Sequence, residues 1–144
     1  MRMPEYRIGL LFSTSGPYAA LGRSALDGAL LALDEVNATG ALRLAAEVAD
    51  PRGIPVEYER CAAEMVTRQG ISHIVGGITS WSRKDMIPVL ERHGGLLWYP
   101  CPYEGFETSD HVVYLGACPN QHLLPLIDHV AARAPERAFL VGSN

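Results

Sequence analysis

Short apolar runs alternate with longer segments in which apolar residues recur every three or four positions. The first run covers residues 6–12 and is followed by the turn-rich residues 13–17, a pattern typical of a buried strand and its closing loop. Apolar residues then recur at helical spacing from Leu21 to Val36, and Gly40 supplies a stop. The opening of the chain therefore predicts a strand followed by an amphipathic helix.

The same alternation continues to the end of the chain. Further strands are predicted over residues 42–48, 71–75, 96–99, 112–115 and 138–141. Helices are predicted from Pro55 to Gly70, from a cap at Thr79 or Ser80 to Gly94, and over residues 120–133. Strands that alternate with helices indicate an α/β fold in which a parallel sheet carries helices on both faces.

Four loops are predicted at the carboxyl ends of these strands, where open parallel sheets bind their ligands. They cover residues 13–16, 50–53, 76–80 and 99–104, and they are rich in Ser, Thr, Gly, Pro and Tyr. Hydroxyl groups and the N–H groups at helix starts would be the donors. This lining favours a small, neutral, polar ligand.

Charge and composition exclude several other classes of protein. The net charge is −4, and the eleven Arg and the single Lys84 are scattered, which argues against direct nucleic-acid binding because phosphates require a concentrated basic face. The apolar run over residues 8–12 is too short for an export signal or a membrane span. Three separated cysteines, Cys61, Cys101 and Cys118, are typical of reduced thiols. We therefore expect a cytoplasmic protein without membrane insertion, or a periplasmic one if a leader was removed.

No motif indicates catalysis, a metal or a cofactor. The sequence contains no GxGxxG, GxxxxGK[ST], HExxH or GxSxG, so we expect a protein that is not an enzyme. Cys101 is the one candidate nucleophile, with His73, His93 or His111 as a conceivable base. Because prolines flank Cys101 on both sides, a role as a pocket wall is the better interpretation.

Residues 79–107 carry a family resemblance. The stretches TSWSRK (79–84), MIPV (86–89) and LLWYPCPYEGFE (96–107) resemble a group of type I periplasmic-binding-protein-like solute receptors. That group contains the amide receptor that regulates bacterial aliphatic amidase operons and the urea and short-chain-amide binding proteins of ABC importers. Weaker matches include IGLLFS (8–13), DPRG (50–53) and PNQ (119–121).

The resemblance implies a two-lobed receptor that closes on a small amide or urea-like molecule. It implies that residues 1–118 form an incomplete first lobe and that residues 119–144 begin the second. Since the family is more than twice as long, it also implies a fragment. Together with the loops predicted at the carboxyl ends of the strands, the resemblance implies seven ligand-binding residues. They are Ser13, Ile78, Thr79, Ser80, Tyr99, Cys101 and Pro102. The amide regulator has Tyr at the position of Ile78 and Thr at that of Cys101, so the ligand need not be acetamide.

Three functions are consistent with these patterns. The first is an amide sensor that regulates amidase expression, with an antiterminator-type partner. The second is the substrate-binding component of an ABC transporter for amides, urea or branched-chain amino acids, with a permease as its partner. The third is a truncated protein-interaction module. The apolar stripe Leu123, Leu124, Ile127 and Val130 further predicts a homo-oligomer, because it has no evident partner within the chain.

Overall fold

The computed structural model describes residues 4–133 together with residues 137, 139 and 141. In these residues it contains five strands and four helices, which alternate except that the fifth strand follows the fourth directly. The strands are β1 (Glu5–Leu11), β2 (Arg43–Ala49), β3 (His73–Gly76), β4 (Leu96–Tyr99) and β5 (Val112–Tyr114). The helices are α1 (Ala19–Ala38), α2 (Pro55–Thr67), α3 (Ser80–His93) and α4 (Pro119–Ala131). The first five predicted strands and all four predicted helices are thus confirmed. Of the predicted strand over residues 138–141, residues 138 and 140 lie outside the described residues.

All strand pairs are parallel, and their order in the sheet is β2-β1-β3-β4-β5. This confirms the predicted α/β fold. Strand β1 lies between β2 and β3, so that Leu10 is in register with Val48 on one side and Val75 on the other. The chain therefore changes direction across the sheet at β1, and the loop after β1 lies at the switch point where such sheets bind ligands.

Helices α2 and α3 cover one face of the sheet. Side chains alternate between the two faces of each strand, and the residues that point toward these helices form one continuous core with them. Its central members include Leu11, Ile74 and Leu97 from the strands, Tyr58 and Met65 from α2, and Met86 and Leu90 from α3. Burial of this core positions the N-terminus of α3 over the carboxyl ends of β1 and β3.

The opposite face carries only α1 among the described helices that pack on the sheet. Leu33 of α1 lies over a shallow apolar cleft that Ile8, Leu44, Val75 and Trp98 also line. The prediction of helices on both faces is correct, but this face is covered less completely.

None of the helices in the described part of the chain combines the length and the apolar character that crossing a bilayer requires.

Helix α4 contains no buried residue. The predicted apolar stripe is present on it, with Leu123, Leu124, Ile127 and Val130 between 38% and 53% exposed. Its assignment to a second lobe and the homo-oligomer both stay predictions.

Replacement by alanine should have opposite effects on the free energy of unfolding at two glycines of α1. A Cβ at Gly22 would overlap the Ser13 carbonyl oxygen, whereas a Cβ at Gly28 would meet no atom within 4 Å. We expect Gly22→Ala to lower the free energy of unfolding by about 1–3 kcal/mol through overpacking. Gly28→Ala should raise it by about 0.5–1 kcal/mol, because alanine loses less backbone entropy in a helix. Urea unfolding of both variants measures the difference, and equal effects would show that α1 does not pack as described.

Candidate functional site

The loops after β1 and β2 are held together by the Asp50 carboxylate. It accepts hydrogen bonds from the Thr14 N–H (3.0 Å), the Ser15 hydroxyl (2.7 Å) and the Arg52 N–H (2.8 Å). Partial burial raises the pKa of Asp50, but these hydrogen bonds outweigh it and hold the pKa below its ordinary value. The ionised Asp50 therefore positions both loops.

Two glycines allow the backbones of these loops to touch. Gly16 and Gly53 both adopt φ +71°, a region that disfavours side chains. A Cβ at Gly16 would overlap the Arg52 carbonyl oxygen, and one at Gly53 would lie 3.0 Å from Pro17. The loops consequently form one continuous rim at the carboxyl ends of β1 and β2.

Helix α3 begins at this rim with its first turn capped by a threonine. The Thr79 hydroxyl accepts a hydrogen bond from the Ser82 N–H (3.2 Å), and the Ser82 hydroxyl in turn accepts one from the Thr79 N–H (3.2 Å). Thr79 is therefore the cap, and Ser80 is the first helical residue. The N–H groups of Ser80 and Trp81 have no partner within the helix, and the helix dipole adds partial positive charge there.

A pocket of about 150 Å³ lies between the rim and the start of α3. Its polar lining comes from hydroxyl groups and its mouth from the exposed aromatic side chains of Tyr18 and Trp81, which are 59% and 69% exposed. Among the described residues, no charged side chain lines it; the lining residues are Ser13, Pro17, Tyr18, Gly53, Pro55, Tyr58, Ile78, Thr79, Trp81 and Ser82. An uncharged ligand of a few heavy atoms suits such a lining.

The predicted site residues divide into two groups. Ser13, Ile78 and Thr79 line the pocket. Ser80 directly follows Thr79 but is not part of the lining, and neither are the three predicted residues after β4. Of those, Tyr99 is only 1% exposed, Cys101 is half-buried and Pro102 is exposed. A role for these four residues in ligand binding stays a prediction.

The Cys101 thiol lies against the protein backbone. Its sulfur lies 3.9 Å from the Gly77 carbonyl oxygen, and burial raises the pKa of the thiol. His73 accepts a hydrogen bond from the Trp98 indole, and the His111 ring is bonded to the Gly95 carbonyl oxygen. Since a nucleophilic cysteine requires thiolate character, this geometry argues against Cys101 as a nucleophile. Cys101 does not line the pocket, so its role as a pocket wall stays a prediction.

Sequence reasoning missed Arg83, which organises the loop between β4 and β5. Its side chain is fully buried on α3. It donates to the Glu104 carboxylate at 2.8 and 3.2 Å and to the Glu107 carboxylate at 2.9 Å. The guanidinium carbon also lies 4.9 Å from the ring centroid of Tyr99 and 5.1 Å from that of Tyr103, within range of cation–π attraction.

This arginine cluster fixes the charge of its members. Burial lowers the pKa of Arg83, but its bonds to Glu104 and Glu107 outweigh that effect and hold the pKa above its ordinary value. The hydrogen bonds from Arg83 lower the pKa of Glu104 to about 2, and burial raises that of Tyr99 to about 12. Four partners of Arg83 thus come from the stretch 99–107 that carries the family resemblance.

The chain is similar to solute-binding proteins in sequence and in structure. It matches a family described as "Periplasmic binding protein domain" over residues 6–144. It is 35% identical over 99 residues to the Leu/Ile/Val-binding protein BraC3 of Rhizobium johnstonii. The aligned region covers 67% of this chain and 27% of BraC3.

Solved structures show the same likeness. The branched-chain amino acid transporter substrate binding protein LivJ of Streptococcus pneumoniae, in complex with isoleucine, matches with a TM-score of 0.70 and 25% identity. The match covers 80% of this chain and 34% of LivJ. An amino acid ABC transporter substrate-binding protein of Pseudomonas fluorescens matches with a TM-score of 0.72 over 91% of this chain and 37% of that one, and its 19% identity shows the fold alone. The chain thus spans about a third of these proteins, and they do not confirm the expected amide and urea subgroup.

The pKa of Glu104 predicts an acid-dependent loss of stability. Because that pKa lies below its ordinary value of 4.5, the carboxylate stabilises the folded state above about pH 4.5, and this stabilisation is lost as the pH falls toward about 2. Glu104→Gln should lower the free energy of unfolding at neutral pH and flatten its decline between about pH 5 and pH 2. Urea unfolding across this range tests it, with the exposed Glu59→Gln as the control. An unchanged pH dependence in Glu104→Gln would contradict the assignment.

Proposed function

The chain belongs to the periplasmic binding protein family, and we propose that it forms one face of the ligand cleft in the substrate-binding component of an ABC transporter. The observation that carries this proposal is the uncharged pocket between the start of α3 and the loops after β1 and β2. In this arrangement the loops at the carboxyl ends of the strands bind the ligand, and the sheet keeps them in place.

The chemistry of this face suits a small ligand that has one polar and one aliphatic end. The free N–H groups at Ser80 and Trp81 can donate to a carbonyl or carboxylate oxygen. Ile78 and the Trp81 ring offer apolar surface beside them. A branched-chain amino acid and a short aliphatic amide both meet these requirements. The names of BraC3 and LivJ support the former, and the resemblance over residues 79–107 supports the latter.

The opposing face of the cleft belongs to a second lobe in this proposal. The chain spans 27% and 34% of the relatives BraC3 and LivJ, and residues 119–144 are proposed to begin the second lobe. Helix α4, which contains no buried residue, supports this assignment, since its apolar stripe does not contribute to the first core.

The transporter role also entails a location outside the cytoplasmic membrane, where substrate-binding components capture their ligands. The transporter role therefore corresponds to the periplasmic location, which the sequence left as the alternative, and not to the cytoplasmic location that was expected first. A cytoplasmic amide sensor with an antiterminator partner is the second candidate, which the stretch over residues 79–107 favours.

Titration calorimetry on the complete gene product tests the proposal. The panel consists of leucine, isoleucine and valine on one side, and acetamide, butyramide and urea on the other. Saturable binding of any member supports a solute receptor, and the member that binds tightest separates amino-acid import from amide recognition. Binding of none would refute the proposal.

Two substitutions in the complete gene product test the predicted placement of the ligand. Ser80→Ala should weaken binding by roughly 1–3 kcal/mol, because a buried polar group of the ligand loses its partner. Cys101→Ser should change binding less, since a thiol is only a weak donor or acceptor and serine approximates its volume. Thr79, not Ser80, caps α3, so Ser80→Ala retains the cap. Because the Ser80 hydroxyl also hydrogen-bonds to Glu104, the melting temperature of Ser80→Ala is measured beside its affinity. Loss of binding in Cys101→Ser alone would contradict this placement.

A further inference from the structure

Strand β2 forms one edge of the sheet, and a helix side chain occupies part of that edge. Among the described strands, β2 pairs with β1 alone. On its open side, the Asn37 side chain from the last turn of α1 bonds to the backbone of Leu44. The Asn37 amide N–H donates to the Leu44 carbonyl oxygen (2.9 Å), and the amide oxygen accepts from the Leu44 N–H (2.7 Å). Asn37 thus makes the two hydrogen bonds that an antiparallel neighbour would make at Leu44.

Two further residues of β2 leave their backbone groups open on this side. In a strand of a parallel pair, the N–H and C=O groups of one residue point the same way, and successive residues alternate. Since the groups of Leu44 point outward, those of Ala46 and Val48 do so as well. In the described part of the chain, no loop or side chain bonds to these groups. An edge of this kind is a template for another strand.

This edge matches a second copy of itself when the two strands are antiparallel and centred on Ala46. Leu44 then lies opposite Val48 of the second copy, and Ala46 lies opposite its own counterpart, so apolar side chains meet along the row. Glu47, on the other face of the strand, lies opposite Ala45 of the second copy. This register brings no like charges of β2 together. It requires the outward groups of Leu44, however, and the α1 side chain already occupies them.

A register that avoids Leu44 sets like charges against each other. If the strands are centred on Glu47, Ala46 pairs with Val48 of the second copy, and the two Glu47 side chains lie directly opposite. Their Cβ atoms would be about 5 Å apart, and like charges in that position destabilise a sheet. Glu47 is ion-paired with Arg7 at 2.9 Å, but at 39% and 44% exposure such a pair offsets only part of the repulsion. The two registers are therefore closed by different residues.

We propose that residues 44–48 of β2 are a latent self-association surface, which Asn37 keeps closed against a second copy of the chain. The Asn37 amide acts as a guard because it takes the place of the incoming strand at Leu44. The inference is independent of the ligand site, and it concerns a different surface from the apolar stripe of α4. The same two bonds also hold the end of α1 to β2, so the test must separate self-association from a loss of stability.

The test opens the edge with Asn37→Ala and closes it again by adding Val48→Lys. Val48 is 47% exposed, and a lysine on an edge strand disfavours pairing. In analytical ultracentrifugation, Asn37→Ala should roughly double the mean mass relative to wild type, because a second copy pairs with the open edge. The double variant should return to the wild-type mass. Gly22→Ala is the matched control, since it destabilises the same helix but leaves Asn37 in place, and it should keep the wild-type mass.

Amide hydrogen exchange locates the surface. In the wild type, the Leu44 N–H should exchange more slowly than the N–H groups of Ala46 and Val48, because Asn37 protects it alone. In associated Asn37→Ala, exchange at Ala46 and Val48 should slow by roughly tenfold or more, as expected when open amides enter a sheet.

The proposal fails on any of three results. The first is an Asn37→Ala variant with the wild-type mass and only a lower melting temperature, as a purely structural role predicts. The second is association that Val48→Lys does not reverse or that Gly22→Ala shows equally, since this would arise from partial unfolding. The third is equal exchange of the three outward amides in the wild type, a result that can be read even if Asn37→Ala does not fold.

Discussion

The buried guanidinium of Arg83 is the interaction on which the geometry of the site depends. A charge without solvent is unfavourable unless it is paired and fully hydrogen-bonded, and here Glu104 and Glu107 occupy three of its N–H groups. Both glutamates lie in the loop between β4 and β5, whereas Arg83 lies in the first turns of α3. The ion pairs thereby fix that loop against the helix start, and Tyr99 and Tyr103 pack against the guanidinium.

This arrangement explains how a site with strong charges nearby can remain neutral. The Asp50 carboxylate is satisfied by the two loops that it joins, and the Arg83 charge is satisfied within its own cluster. The pocket between them is left with hydroxyl groups, two exposed aromatic rings and the N–H groups of a helix start. The charged residues therefore position the site, while dipoles and hydroxyls are available for a ligand.

The sequence predicts the fold well because the hydrophobic pattern is local. Periods of two and of three to four residues identify strands and helices, and their alternation implies a parallel sheet. The site is predicted only in part. Ser13, Ile78 and Thr79 follow from their places at strand ends, but Arg83 resembles a solvated helix residue, since its partners lie 21 and 24 positions farther along the chain. Tyr58 fits an ordinary core position on α2, and no local pattern shows that its hydroxyl faces Ser13.

The most direct test compares two arginines that each pair with two glutamates. Arg83 is fully buried, whereas Arg60 is 59% exposed on α2, where it pairs with Glu57 and Glu64. Urea unfolding should show that Arg83→Met lowers the free energy of unfolding by roughly 2–3 kcal/mol, because three charge-assisted hydrogen bonds to Glu104 and Glu107 are lost. Arg60→Met should lower it by less than about 1 kcal/mol, as is usual for surface pairs. Similar small losses in both variants would contradict the central role of the buried arginine.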